Sequence, residues 1–401
     1  MKVLVADKFE ESGLAGLTAI GCQVLYEPKL EGEALGDRLG ETGAEVLVVR
    51  STKVTAAEIG KASGLALIVR AGAGVNTIDL AAASARAVAV SNCPGKNAIA
   101  VAELAWGLLL ALDRRLVEQT VDLRAGVWNK AEYGKATGLA GRTLGVIGLG
   151  AIGLEVVTRA QAFGMNVVAW SRTLDEDRAE RLGVGRADSV HALAAASDAV
   201  TVHCALTSET KGMLDARFFA AMKPGALFVN TSRGEVVNAE ALRNAVADRG
   251  IRAGLDVFEE EPAGGTGVFE DGIVKLPGVI GSHHVGASTD QAQNAIAAET
   301  VRIVAAFAAA GQIPNAVNIA SRTPATHLLT VRHRDRVGVL AHVFGVLRAA
   351  GINVEHTENI VFAGAEAACA RIQVDRGPEA PVLDALRTGC ADVLSVGLTV
   401  L

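Results

Sequence analysis

The sequence predicts an α/β protein, a parallel sheet covered by helices on both faces, followed by a smaller module of βαββαβ order. Three observations carry that expectation. Short β-branched runs alternate with helix-period stretches over most of the chain, the pattern of a parallel sheet with helical crossovers. Half of the 401 residues are hydrophobic and only 4% are aromatic, a composition suited to sheet interiors rich in Ala, Val and Leu. A proline-interrupted break follows residue 313, and the rhythm of the chain changes beyond it.

In chain order, strands are expected at Val3–Ala6, Val46–Val49, Ala66–Val69, Thr143–Ile147, Val167–Trp170, Ala199–His203 and Ala226–Asn230. Helices are expected between them, among them Ala98–Leu112, Leu154–Phe163 and Ala239–Arg249. The segment from Ile313 to Pro324 carries two prolines among turn formers and reads as a linker. Beyond it come a strand over His327–His333, a helix over Val337–Ala350, strands over Ile352–Phe362 and Ala367–Asp375, a helix over Pro381–Arg387 and a strand over Val393–Val400. That order is a split, ferredoxin-like module.

Bulk properties narrow the function. A formal charge of −6 without a basic block argues against nucleic acid or an anionic membrane as partner. The five cysteines are scattered with no Cys-x-x-Cys pair, which suits reduced thiols and neither a disulfide frame nor a metal site. An acid at Asp7 comes too early for a signal peptide, and the apolar stretch Leu104–Leu112 is too short to span a bilayer. A cytoplasmic location without membrane or nucleic-acid contact is therefore expected, and no metal.

The run Gly148-Leu149-Gly150-Ala151-Ile152-Gly153 satisfies Gly-x-Gly-x-x-Gly between a predicted strand and a predicted helix. There the first glycine permits the tight turn, the second lets a pyrophosphate approach the backbone and the third lets helix and strand pack closely. The phosphates would face the helix N-terminus. The next strand ends in Ser171-Arg172, without the acid that usually holds the adenosine ribose of NAD. NAD is the expected cofactor, and this pair leaves NADP open, since an Arg grips a 2′-phosphate well.

Three later segments place chemistry beyond strand ends, where α/β sheets bind ligands. They are Asn230-Thr231-Ser232-Arg233-Gly234, Asp256-Val257-Phe258-Glu259-Glu260-Glu261-Pro262 and Ser282-His283-His284-Val285-Gly286. Together with Val49–Thr55, Arg70–Asn76 and Asn92-Cys93-Pro94 with Asn97, they resemble the signature of the D-isomer-specific 2-hydroxyacid dehydrogenases over residues 1–318. The resemblance implies a Rossmann-type cofactor domain, residues 98–283, nested in a flavodoxin-like α/β substrate domain made of 1–97 and 284–316. It implies Arg233, Glu261 and His284 as the catalytic set. His284 would be the acid–base, Glu261 the anion that favours its imidazolium, and Arg233 the clamp on carboxylate and carbonyl. A non-catalytic sensor of nucleotide or amino acid, the reading from another class, has no need of such a pair.

The same resemblance implies further roles. Cofactor contacts fall on Gly148, Gly150, Ala151, Ile152, Gly153, Ser171, Arg172, His203, Thr231, Asp256 and Gly286, with Asp256 at the nicotinamide carboxamide. Substrate contacts fall on Arg50, Ser51, Arg70, Ala71, Gly72, Ala73, Gly74 and Asn97, with Lys130 supplied by a neighbouring subunit. The substrate is a small 2-hydroxy acid. Arg50, Lys53 and Arg70 exceed what one carboxylate needs, which favours phosphoglycerate over hydroxypyruvate or glyoxylate. After a linker at 317–325, residues 326–401 resemble an ACT domain through Arg332–Ala341 and Gly351-Ile352-Asn353-Val354. Such modules pair and bind amino acids at the interface. Serine at His333, Asp335 and Asn353 and a homodimer or homotetramer are the corresponding expectations.

Overall fold

A computed structural model describes residues 1–262 and 266–401. The chain divides into two compact units, Met1–Asn318 and Ile319–Leu401.

The first unit contains two parallel sheets. One is five-stranded: β1 (Lys2–Val5), β2 (Gln23–Tyr26), β3 (Val46–Val49), β4 (Leu67–Arg70) and β5 (Ala89–Asn92), in the order β2-β1-β3-β4-β5. The other is seven-stranded: β6 (Thr143–Ile147), β7 (Asn166–Trp170), β8 (Gly185–Arg186), β9 (Ala199–Val202), β10 (Leu227–Asn230), β11 (Arg252–Leu255) and β12 (Val279–Gly281), in the order β12-β11-β10-β9-β6-β7-β8. Each sheet reverses its direction of build once. The reversal falls between β1 and β3 in the first sheet and between β6 and β9 in the second. Crevices at the carboxyl ends of strands at such reversals are where α/β sheets receive ligands.

Helices cover both faces because the strands are apolar on both sides. Val46, Leu47, Val48 and Val49 are all fully buried, and alternate residues enter different cores. The long helix Asp290–Ala310 returns to the first sheet and sets Ile296, Ala297, Ile303 and Val304 against Val3, Val5, Val46 and Val48. Behind it the chain docks on β5, where the Val317 amide donates to the Val90 carbonyl at 2.8 Å and Asn318 Oδ1 accepts the Val90 amide at 2.8 Å. The segment before residue 98 and the segment after residue 284 therefore share one core.

Several boundaries move from their sequence expectations for local reasons. The helix after the glycine run begins at Ala151 rather than Leu154, which makes Gly150 its N-cap. The helix expected to end at Leu112 continues to Arg114, where Arg115 adopts a left-handed conformation. The edge strand β2 was not marked by pattern, because its Gln23 and Tyr26 are exposed.

In the second unit β13 (His327–Arg334), β14 (Val354–Val361), β15 (Ala367–Val374) and β16 (Val393–Val400) form an antiparallel sheet in the order β14-β15-β13-β16. Val343 and Leu347 of the helix Val339–Ala349 and Leu386 of the helix Ala380–Thr388 pack on Leu329, Val331, Ala370 and Ile372. The first of these helices starts two residues later than expected, after Gly338 at φ 94°.

Candidate active site

Asn230, at the end of β10, folds the turn that carries the clamp. Its Oδ1 accepts from the Ser232 amide at 3.0 Å and the Ser232 hydroxyl at 2.8 Å, and its Nδ2 donates to the Arg233 carbonyl at 2.9 Å. Gly234 allows this turn to lie directly on the Phe258 peptide, since a Cβ there would collide with that backbone. Arg233 then extends toward the first sheet. Its Nη2 donates to Asn76 Oδ1 at 3.4 Å and occupies the space a side chain at Gly74 would fill.

Asp256, after β11, organises the histidine loop. Oδ1 accepts from the Ser282 hydroxyl at 2.7 Å and the Val285 amide at 2.9 Å, and Oδ2 from the Gly286 amide at 2.9 Å. The His284 amide donates to the Asp256 carbonyl at 2.8 Å, and His284 takes the left-handed conformation at φ 51°. That conformation is uncommon outside glycine and concentrates at functional positions. His284 Nδ1 and Glu261 Oε2 meet at 2.6 Å. Burial would raise the Glu261 carboxyl, but the His284 hydrogen bond, the Phe258 amide and the charges of His284 and Arg233 outweigh it and hold the group below its ordinary value. With Nδ1 taken by a carboxylate, Nε2 is the nitrogen left to exchange a proton.

The first sheet supplies cations. Asp7, directly beyond β1, gathers the loop after β3: Oδ2 accepts from the amides of Arg50 at 2.6 Å, Ser51 at 3.0 Å and Thr52 at 3.0 Å. The Ser51 hydroxyl donates to Oδ1 at 3.2 Å. Burial opposes this carboxylate, yet the three amides hold its pKa below the usual range. Arg70, the last residue of β4, is brought down to about 10, first by burial and then by the charges of Arg233 and Arg50. Its Nε is buried without a partner. Gly72, at φ 154°, leaves room for the Arg70 guanidinium, and the Ala73 carbonyl accepts from Asn92 Nδ2. Arg70 thus lies within reach of the charges of Arg50 and Arg233, and Arg233 within reach of the Glu261 carboxylate.

The dinucleotide crevice is built by glycine. Gly148 has φ 95°, and a Cβ there would lie 2.7 Å from the His203 carbonyl oxygen. A Cβ on Gly153 would strike the Gly148 carbonyl, whereas the space at Gly150 is open. No side chain caps the helix that begins Ala151-Ile152-Gly153, so its first-turn amides remain free for an anion. Three buried polar atoms at this end of the unit lack partners: Asn97 Oδ1, His203 Nδ1 and Thr231 Oγ1. Unpaired buried polar atoms are rare, and an open glycine cradle, with such atoms just beyond β9 and β10 of the same sheet, fits a polar dinucleotide. Burial depresses His203 to about 3, so its ring is neutral, with Nε2 on Thr201 Oγ1 at 2.8 Å. Ser171 and Arg172 follow β7, with Arg172 exposed.

Lys130 opens a short exposed helix, Lys130–Tyr133, and no hydrogen bond or ion pair joins it to the cleft among the described residues. In the second unit His333 is buried, with Nδ1 at 2.7 Å from the Arg334 carbonyl and Nε2 at 3.2 Å from Asn359 Oδ1. Asn353 precedes β14 at the end of the sheet where His327 pairs with Val374, while His333 pairs with Ala368 at the other end. Asp335 is exposed in the loop just beyond His333. Asn353 and His333 are thus not neighbours within one module. No role was expected for Asp7, Asn230 and Ser282, whose polar atoms hold the loops carrying Arg50, Arg233 and His284, nor for Asn76, which accepts from the Arg233 guanidinium. Asp7, Asn230 and Ser282 stand at or within two residues of a strand end, the one signal that could have marked them.

These features agree with what the chain resembles. Residues 106–286 match the NAD-binding domain of D-isomer-specific 2-hydroxyacid dehydrogenases, and residues 327–358 match the ACT domain. Glyoxylate reductase of Thermococcus litoralis is 35% identical over 79% of this chain and 96% of its own length. D-3-phosphoglycerate dehydrogenase of Methanocaldococcus jannaschii is 40% identical over 80% of this chain. The matched region spans about 60% of that relative's length. The solved structure of the TT0316 protein from Thermus thermophilus superposes with a TM-score of 0.71 at 32% identity, covering 79% of this chain and all of that one. The chain belongs to the D-isomer-specific 2-hydroxyacid dehydrogenase family, with NAD as its cofactor and a C-terminal ACT domain.

Proposed function

We propose that this chain is a D-3-phosphoglycerate dehydrogenase, oxidising 3-phosphoglycerate to 3-phosphohydroxypyruvate, the reaction that opens serine biosynthesis. The observation that carries the reading is a cluster of cations, in which Arg70 feels the charges of both Arg50 and Arg233, and Arg233 that of Glu261, the partner of His284. One carboxylate does not need three guanidiniums; a carboxylate with a phosphate on the same three-carbon skeleton does. Arg233 clamps the carboxylate and C2 oxygen. His284 Nε2 takes the C2 hydroxyl proton, and Glu261 fixes the tautomer and stabilises the imidazolium that results. NAD bound along the glycine run would supply the hydride-accepting chemistry for C2. Gly148, Gly150 and Gly153 would admit its pyrophosphate, and Asn97, His203 and Thr231 would offer polar atoms to it. Asp256 acts by holding the His284 loop.

Purified protein assayed with 3-phosphoglycerate, glycerate, hydroxypyruvate and glyoxylate tests the reading. Turnover of 3-phosphoglycerate supports it, and none with any 2-hydroxy or 2-keto acid sinks it. The second reading, a hydroxypyruvate or glyoxylate reductase, is favoured by the near-complete length match to the Thermococcus litoralis enzyme.

We also propose a homo-oligomer. Leu116, Val117, Val121, Leu123, Val127 and Trp128 leave an apolar stripe exposed on and after the helix Leu116–Arg124, larger than scattered surface residues account for. The ACT module adds a second contact: with His333 and Asn353 at opposite ends of one sheet, a serine touching both must lie between two copies. Serine titration should lower the rate, and a flat response would leave the module structural. A cytoplasmic location accords with five unpaired cysteines. No helix among the described residues is long and apolar enough to cross a membrane.

A further inference from the structure

The strands that carry Arg233 and Asp256 just beyond their carboxyl ends begin, at their amino ends, in a second cavity. Leu227 opens β10 and Arg252 opens β11, and both line it, as does Arg142 directly before β6. The end of the helix Ala98–Arg114 adds Asp113, Arg114 and Arg115, and the segment after the helix Lys130–Tyr133 adds Lys135, Ala136 and Thr137. The cavity holds about 160 Å³, roughly the liquid share of five waters.

Five cations line it: Arg114, Arg115, Lys135, Arg142 and Arg252. Three carboxylates stand against them. Glu132 takes Arg115 Nη1 at 2.7 Å and Lys135 Nζ at 2.8 Å. Glu118 takes Arg252 Nη2 at 3.2 Å, with Arg115 Nε at 3.9 Å, and Asp113 meets Arg142 Nη1 at only 3.4 Å. Arg114 is exposed, and its guanidinium has no partner among the described residues. The side chains of Arg142 and Arg252 are 19% and 21% exposed, so their charges are weakly screened. Burial first, with the Arg115 charge adding to it, holds Arg252 below the ordinary arginine value against the pull of Glu118. The carbonyl end of a helix attracts cations in its last turn, which accounts for Arg114 and Arg115. Arg142 and Arg252 come from strand starts, and Lys135 from a loop. The amides of Lys135, Ala136 and Thr137 find no acceptor among the described residues. Guanidiniums, an ammonium and free amides around one small cavity are the donor set that recognises phosphate.

We propose that this cavity is a second anion site, at the opposite ends of the strands from the His284–Glu261 pair, and that it takes inorganic phosphate or the phosphate group of a small ester. Arg142 and Arg252 hold the anion to the sheet, and the exposed Arg114 and Lys135 meet it from solvent. Occupancy ties residues 132–137 to the strand starts. That segment follows Trp128 and Lys130 directly, so the bound anion steadies the stretch that bears them.

Calorimetric titration of the full chain with inorganic phosphate, and separately with glycerol 3-phosphate, tests this at an ionic strength held constant with chloride. The substrate cleft also carries guanidiniums, so wild type, Arg50→Ala, Arg114→Ala and Lys135→Ala are compared. A binding event should survive Arg50→Ala and weaken about tenfold in Arg114→Ala and in Lys135→Ala, the loss of one charge-assisted contact each. Both substituted side chains are exposed, so the melting temperature without phosphate should hold. Amide hydrogen exchange gives the location: phosphate should slow it over residues 132–137 in the wild type and much less in Arg114→Ala. Binding of either probe in this pattern supports the site, and the tighter one names its occupant. Binding lost in Arg50→Ala and unchanged in the other two variants would place the anion in the cleft and overturn the proposal. So would no binding, or a response to phosphate no larger than that to chloride.

Discussion

Gly74→Ala is a substitution whose effect follows directly from coordinates. A Cβ at this position would lie 2.5 Å from Arg233 Nη2 and 3.2 Å from Asn76 Oδ1. The obstructed atom is the far end of a flexible side chain, so the guanidinium moves and the backbone does not. Gly74 is not among the positive-φ residues, so alanine meets no conformational penalty. Its smaller unfolded-state entropy adds about 0.4–1 kcal/mol of stability. Displacing Arg233 removes hydrogen bonds from a charged group to the substrate carboxylate, worth about 1.5–3 kcal/mol. That converts to a fall in kcat/KM of roughly ten- to a hundredfold. The assay is steady-state kinetics with a thermal melt on the same preparation, beside Arg233→Ala as the limiting case. A kcat/KM within about twofold of wild type would refute the assignment of Arg233 as the clamp. A melt lowered by many degrees would refute the claim that only the side chain yields.

Other substitutions separate the parts of the site. Asp7→Ala should free the Arg50–Thr52 amides and raise KM about tenfold with kcat little changed. Asp7→Asn, which keeps an oxygen acceptor, should recover most of that loss; no rescue would mean that the charge and not the loop geometry matters. His284→Ala should abolish hydride transfer while dinucleotide binding persists, and an unchanged rate would move the acid–base elsewhere. Glu299 on the helix Asp290–Ala310 is held at about 2, chiefly by its hydrogen bonds to Arg302 against the opposing effect of burial, with Asn315 and Lys96 adding to it. A depressed folded-state pKa contributes stability that is present above the ordinary value of 4.5 and lost as pH falls toward about 2. Glu299→Gln should therefore lower the neutral-pH melting temperature by a few degrees and flatten its decline over that acid window; a parallel decline would remove Glu299 from the account.

Much of the fold was legible because parallel strands buried on both faces write continuous apolar runs. Val46–Val49 and Leu227–Asn230 could be read without any partner. The glycine run was equally plain, since its spacing reflects close approaches that a Cβ would block. The exposed edge strand β2 left no such trace. The site divided in the same way. Arg233, Glu261 and His284 stood out by residue type, and the structure sets the last two 2.6 Å apart. Asp7 and Asn230 did not, because a carboxylate or amide that gathers backbone amides has no periodicity and no fixed spacing from what it holds. The separation of His333 from Asn353 was hidden for another reason. Antiparallel register decides which strand ends are neighbours, and register comes from tertiary pairing.

The central claim is that the guanidiniums of Arg50, Arg70 and Arg233 read two anionic groups on one substrate. It is tested most directly by the ratio of kcat/KM for 3-phosphoglycerate to that for glycerate, measured at constant ionic strength in the wild type and in Arg50→Ala. The account predicts that the phosphorylated acid is preferred by about a hundredfold or more, through charge-assisted contacts that glycerate lacks, and that most of the preference disappears in the variant. Equal use of the two acids by the wild type would contradict it.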